Sequence, residues 1–202
     1  EHDAAGRPVK RLDPLGGATA YAYDARGRLT ARTDPLERTV RYAYHADGRL
    51  QSATDAAGGS TRFEYDADGR LARRTNAAGG ADRFTFDALG NLTSIQSASG
   101  ATLQAGYDEL GRRSSVTDPS GNVFRTQHDR LGRGVGRTDP YGRATHYEYD
   151  ARGNLVKSTD PDGRVVVRKF DAADRVVELS VDGQSRVTYD YDAAGRVARF
   201  QH

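Results

Sequence analysis

Apolar and polar residues alternate along this chain in short stretches, such as Val40-Arg41-Tyr42-Ala43-Tyr44 and Thr145-His146-Tyr147-Glu148-Tyr149. A period of two sends successive side chains to opposite faces, which predicts half-buried strands. Tyr, Phe, Val and Thr suit a pleated surface. Each stretch ends on an aromatic residue and runs into Asp-x-x-Gly, as in Asp24-Ala25-Arg26-Gly27. Asp favours the first turn position because its carboxylate accepts backbone N–H groups further along, and Gly at the fourth supplies positive φ. The expected element is a hairpin with a three-residue loop, pairing Asp24 with Arg28 and setting Tyr23 opposite Leu29. A second strand follows (Leu29-Thr30-Ala31-Arg32-Thr33), and a second Asp-x-x-Gly closes the unit, as in Asp118-Pro119-Ser120-Gly121, Asp139-Pro140-Tyr141-Gly142 and Asp160-Pro161-Asp162-Gly163.

The unit repeats. Stepping 21 residues at a time meets His2, Tyr23, Tyr44, Tyr65, Phe86, Tyr107, His128, Tyr149, Phe170 and Tyr191 without a slip. Asp follows the anchor everywhere but at His45, and Gly sits four residues after it everywhere but at Asp174. Structural roles are assigned to the aromatic anchors and to turn pairs such as Asp24/Gly27, Asp66/Gly69, Asp87/Gly90, Asp150/Gly153 and Asp192/Gly195. A fixed period of this size marks a repeat architecture. Residues 1–202 are read as one array of about ten units. Both ends fall inside the pattern, so the chain is expected to be a segment of a longer protein.

The expected fold is all-β: tandem hairpins forming one continuous antiparallel sheet. About twenty strands spaced ~4.8 Å apart would make a sheet too wide to stay flat. No covering layer is encoded, so the sheet should curl into a spiral or tube wall with its aromatic rows inside. Parity adds a condition. Twenty-one is odd and side chains alternate with period two, so two odd-length turns cannot keep every anchor on one face. Either the second turn has an even number of loop residues, or a bulge restores the phase.

The pattern thins in the middle. Ala105, Thr126 and Arg168 replace the first aromatic of the pair, and Arg113 and Gly134 replace Leu. Asp174, in a Gly position, predicts a strained turn, though Asp tolerates positive φ better than most residues.

Composition narrows the function. Thirty basic and 28 acidic residues are interleaved, which argues against a basic nucleic-acid footprint. No Cys is present, which excludes disulfides and thiolate metal sites. No apolar run approaches the ~20 residues of a membrane-spanning helix, so no membrane insertion is expected. Turn carboxylates are abundant but recur with the same turn role, which disfavours a catalytic pair. Calcium could be held by stacked Asp-x-x-Gly loops, but neither an EF-hand nor a Gly-Gly-x-Gly-x-Asp repeat occurs. The five His (2, 45, 128, 146 and 202) are scattered without metal-ligand spacing. Asn91-Leu92-Thr93 is a formal glycosylation sequon at the ordinary Arg/Asn position of its repeat. No catalytic, cofactor or metal residues are assigned. The Arg after each turn (Arg28, Arg49, Arg70, Arg112, Arg133, Arg175, Arg196) is expected to pair with the Asp of its own or the next turn. The alternative is that the Arg and Tyr rows bind glycan or an anionic polymer.

Residues 147–163, Tyr-Glu-Tyr-Asp-Ala-Arg-Gly-Asn-Leu-Val-Lys-Ser-Thr-Asp-Pro-Asp-Gly, resemble the YD repeat of rearrangement-hotspot (Rhs) proteins. The repeat is shared with the BC component of insecticidal toxin complexes and with the teneurin ectodomain, and the resemblance covers essentially the whole chain. It implies a spiral of β-hairpins forming a hollow shell. In bacterial members it implies a shell enclosing a C-terminal toxin until delivery, often by a type VI or related apparatus; in teneurins, part of an adhesion receptor. Asp13-Pro14-Leu15-Gly16 fits one element of the bacterial self-cleaving region only superficially, and Asp34-Pro35-Leu36-Glu37 lacks the Gly, so no protease residues are assigned. The expectation is a non-enzymatic shell segment of a secreted bacterial protein. Its partners would be a toxin cargo and neighbouring shell repeats of the same protein. The alternative is a cell-surface carbohydrate-binding or adhesion module. Unpaired strand edges predict homo-oligomers of the isolated segment.

Overall fold

The computed structural model describes residues 1–201; His202 and the side chain of Ser185 lie outside the described residues. Among the described residues the regular structure is all strand: nineteen strands assigned to one antiparallel sheet. Two strand types alternate. Six-residue strands end on an anchor (Ala18–Tyr23, Thr39–Tyr44, Ser60–Tyr65, Ala81–Phe86). Five-residue strands begin two positions after the turn Gly (Leu29–Thr33, Leu50–Thr54, Leu71–Thr75, Leu92–Gln96). The chain divides into units of residues 1–102 and 103–202.

In the first unit every strand pairs with its sequence neighbours, as the tight turns require. Tyr23, Tyr44, Tyr65 and Phe86 stand opposite Leu29, Leu50, Leu71 and Leu92. Both turns of a unit are three-residue loops. Asp24 N–H donates to the Arg28 carbonyl at 2.9 Å, and in the second turn Asp34 N–H donates to the Arg38 carbonyl at 3.0 Å. The even-length second turn is therefore not the device that keeps the phase. Instead, Ala22 pairs with Ala31 while Tyr23 pairs with Leu29, leaving Thr30 unmatched in a bulge. Gln51, Ala72 and Thr93 are the corresponding extra residues. The physical reason is that both loops are pinned by the same Asp-and-Gly chemistry, so the odd residue is absorbed within the strand.

With the phase restored, Tyr21, Tyr23, Leu29, Val40, Tyr42 and Tyr44 share one face. The opposite face mixes small and charged residues, such as Ala20, Ala31 and Arg41, and on it Thr33 and Thr39, directly paired, share a hydroxyl hydrogen bond of 2.8 Å. The aromatic side chains are half-buried. No apolar side chain among the described residues is fully buried, so neighbouring strands of the same layer cover the rings only in part.

The second unit repeats the arrangement. Its anchor-bearing strands include Val123–His128, Ala144–Tyr149, Val165–Phe170 and Ser185–Tyr191. Bulges leave Ser114, Val135, Val156, Val177 and Ala198 unmatched. Asp174 takes φ 60° while keeping its turn hydrogen bond to the Asp171 carbonyl at 3.1 Å, the strained turn that its sequence implies. Glu37, where the second-turn Gly is missing, does the same at φ 59°. At residues 181–184 the Asp-x-x-Gly signature is replaced: Asp182 and Gly183 both have positive φ, and Gln184 N–H donates to the Val181 carbonyl at 3.0 Å.

Candidate functional site: a clasp between successive repeats

Each first turn is organised by one carboxylate. Asp24 Oδ1 accepts the backbone N–H groups of Arg26 and Arg28, both at 2.9 Å. Its Oδ2 accepts Arg28 Nε at 2.7 Å. Asp66, Asp87, Asp150 and Asp192 accept from their own turns in the same way. Gly27, Gly69, Gly90, Gly153 and Gly195 take φ between 78° and 96°, which closes the loop at little steric cost. Where the sequence offers Asn after the Gly, Asn91 and Asn154 Nδ2 replace the guanidinium at 2.9 and 3.0 Å from the carboxylate.

The Arg held by this carboxylate reaches the next repeat. Arg28 Nη1 donates to the His45 carbonyl at 3.2 Å, and its guanidinium carbon lies 4.7 Å from the Tyr44 ring centroid. Tyr44 Oη closes the circuit by donating to the Leu29 carbonyl at 2.8 Å. Three ties thus join one hairpin to the next: a guanidinium–carbonyl bond, a cation–π stack and a phenol–carbonyl bond. The stack recurs at Arg7/Tyr23, Arg49/Tyr65, Arg70/Phe86, Arg133/Tyr149 and Arg175/Tyr191, with distances of 4.5–5.0 Å. The phenol bond recurs from Tyr23 to Pro8, Tyr65 to Leu50, Tyr149 to Gly134 and Tyr191 to Val176. Because the acceptor is a carbonyl, loss of the Leu side chain at Gly134 leaves the tie intact. Phe86 lacks only the phenol bond, since Arg70 stacks on its ring and donates Nη1 to the Asp87 carbonyl at 3.3 Å, and Tyr107 and Phe170 hold the same anchor slot in their own strands.

Arg28, Arg70, Arg112 and Arg133 therefore pair with their own Asp through the carboxylate and with the next turn through a backbone carbonyl. Sequence reading did not anticipate the carbonyl acceptors, which any residue supplies, or the repair at His45. There Asp47 takes over, its Oδ2 accepting Arg49 Nη2 and Nε at 2.6 and 2.9 Å. His45 instead sets its ring edge-on to Tyr65, with centroids 6.0 Å apart. His128 fills its anchor slot with Nδ1 3.5 Å from Asp108 Oδ2, while Arg112 bridges Asp108 Oδ2 and the Asp129 carbonyl.

Electrostatically the turns favour ionised carboxylates. The Arg28, Arg175 and Arg196 backbone N–H groups, reinforced by the same residues' guanidinium, hold Asp24, Asp171 and Asp192 below the usual range. The Arg49 guanidinium lowers Asp47 to about 2. Among the described residues, no three His, Asp or Glu side chains cluster in a way that could hold a metal ion. One face of each clasped ring is taken by a guanidinium.

An array of hairpins clasped through aromatic-Asp-x-x-Gly-Arg is a YD-type repeat protein, and the RHS repeat profile matches residues 2–39. The teneurin YD-shell profile matches residues 38–202, and the chain belongs to that family; its role is structural, as part of a shell. Among curated proteins none matches the sequence. The chain is similar in fold to solved toxin assemblies. TcdB2-TccC3 without its hypervariable C-terminal region matches at TM-score 0.71 and 16% identity, over 98% of this chain and 12% of that one. TcdB2-TccC3-Cdc42 matches at TM-score 0.70 and 17% identity, over the same shares. The Photorhabdus luminescens Tc holotoxin pore with TccC3-D651A matches at TM-score 0.53 and 16% identity, over 96% and 13%. The chain thus spans about an eighth of the length of these structures.

Proposed function

We propose that this chain is a stretch of curled wall in a secreted bacterial Rhs-type shell that encloses a toxin cargo carried C-terminally in the same polypeptide. The supporting observation is the repeat clasp: at six anchors, Tyr23, Tyr44, Tyr65, Phe86, Tyr149 and Tyr191, the Arg of one hairpin stacks on the aromatic ring of the next. Such a wall works mechanically, without chemistry of its own, by keeping a cargo apart from its surroundings until delivery. Membership of the YD-shell family and fold similarity to TccC3-containing assemblies support the reading.

The test is limited proteolysis of the full-length protein. The region C-terminal to the wall should resist protease in the intact protein and become cleavable when the clasp is opened by Arg133→Ala with Tyr149→Ala. Digestion of that region at the same rate in the intact protein and as an isolated domain would refute enclosure.

A further inference from the structure

The aromatic face is interrupted within the second unit. A cavity of about 550 Å³ opens there, in the size range of ligand sites. It falls where the repeat loses its apolar residues: Arg113 stands in a Leu position and Thr126 in an aromatic one. Val116 and Phe124, paired across the strands, give it an apolar floor, and Phe124 is left 46% exposed. Arg137, opposite Thr145, completes the rim.

Arg137 differs from its counterpart three repeats earlier. Arg74 occupies the position equivalent to Arg137 and faces Asp82, which accepts Nη2 at 2.6 Å and Nε at 3.1 Å. In the cavity that carboxylate is replaced by Thr145. Among the described residues the guanidinium groups of Arg113 and Arg137 have no hydrogen-bond or ion-pair partner. The nearby Asp139 does not serve them, because its carboxylate takes Arg143 Nε at 2.6 Å and the N–H groups of its own turn. Two unpaired guanidinium groups over an apolar floor match a carboxylate carried beside an apolar side chain.

We propose that this cavity is a docking site for an acidic–apolar polypeptide segment of the enclosed cargo, whose carboxylate takes the place that Asp82 holds beside Arg74. The assignment rests on the wall reading above. It is tested on this chain alone, by fluorescence anisotropy with a short acetylated peptide alternating leucine and glutamate and with its leucine–glutamine counterpart. Saturable binding of the glutamate peptide, weaker by about tenfold or more for the glutamine peptide, is expected, since each charge-assisted contact is worth roughly that factor. Arg113→Gln with Arg137→Gln should abolish the difference, whereas Arg62→Gln, a like charge change on the opposite face, should leave it. Equal binding of the two peptides, no binding, or binding indifferent to the double substitution would overturn the assignment. So would displacement of the peptide by an equal concentration of inorganic phosphate, which would mark a simple anion site. The peptide comparison on the unsubstituted chain keeps the test valid even if a variant folds poorly. A cargo that is protease-protected in the full-length protein while the peptide fails to bind would remove the docking site alone.

Discussion

The two ends of the hairpins use the same loop and put it to different use. At the first turn, Asp24 pins Arg28, and Arg28 then reaches Tyr44 and the His45 carbonyl in the next repeat. At the second turn, Asp34 pins Arg38 at 2.8 Å in the same way, but among the described residues Arg38 bonds to nothing in the next repeat. Arg143 there stacks only on Tyr141 of its own loop. Ties between successive repeats at that end are sparse, for example Ala98 N–H to Asp82 Oδ1 at 3.1 Å. A turn motif alone therefore builds a hairpin. An aromatic residue placed just before it turns a row of hairpins into a joined wall.

The sharpest test of that contrast removes one tyrosine from each end. Tyr149→Ala deletes a half-buried ring, its guanidinium stack and its bond to Gly134, and should cost about 2 kcal/mol in urea unfolding. Tyr141→Ala, at a tip where the ring is 84% exposed, should change stability by less than about 0.5 kcal/mol. Equal effects would show that the anchors are not what binds the repeats. Next in size, Glu37→Gly relieves positive φ in a second turn and should stabilise by about 1 kcal/mol, read as a raised urea midpoint. The phenol tie is isolated by Tyr44→Phe, which should cost about 1 kcal/mol, whereas Tyr21→Phe on the same face has no such bond to lose and should be near neutral.

Acid supplies the smallest single-group effect, because these carboxylates face solvent. Asp47 is held to about 2 by Arg49, below the ~3.9 of an unfolded chain, so between those values the unfolded state binds more protons. Its contribution is complete above roughly pH 4 and disappears as the pH falls through about 2. Urea midpoints measured across that interval should fall less steeply in Asp47→Asn than in the parent chain.

Much of this was legible in the sequence because the repeat states it ten times over. Strand alternation, the three-residue first turn and the pairing of Tyr23 with Leu29 follow from side-chain types and loop chemistry. The location of the phase correction did not, because a bulge at Thr30, Gln51 or Ala72 has no residue preference to read. The phenol ties were equally silent, since a backbone carbonyl at Leu29 or Gly134 looks the same whatever side chain it carries. Substitution of Leu by Arg113 was visible as a departure from pattern. That Arg137 is also left unpaired beside an open cleft required knowing that Thr145 stands across the strands from it.

The bulge in each unit has a genetic consequence. Since each bulge corrects the alternation of its own copy, whole copies can be added or removed without disturbing the rest, and the wall can lengthen or shorten one unit at a time. An insertion of a single residue inside a strand, by contrast, would exchange the wet and greasy sides from that point until another slip reversed it.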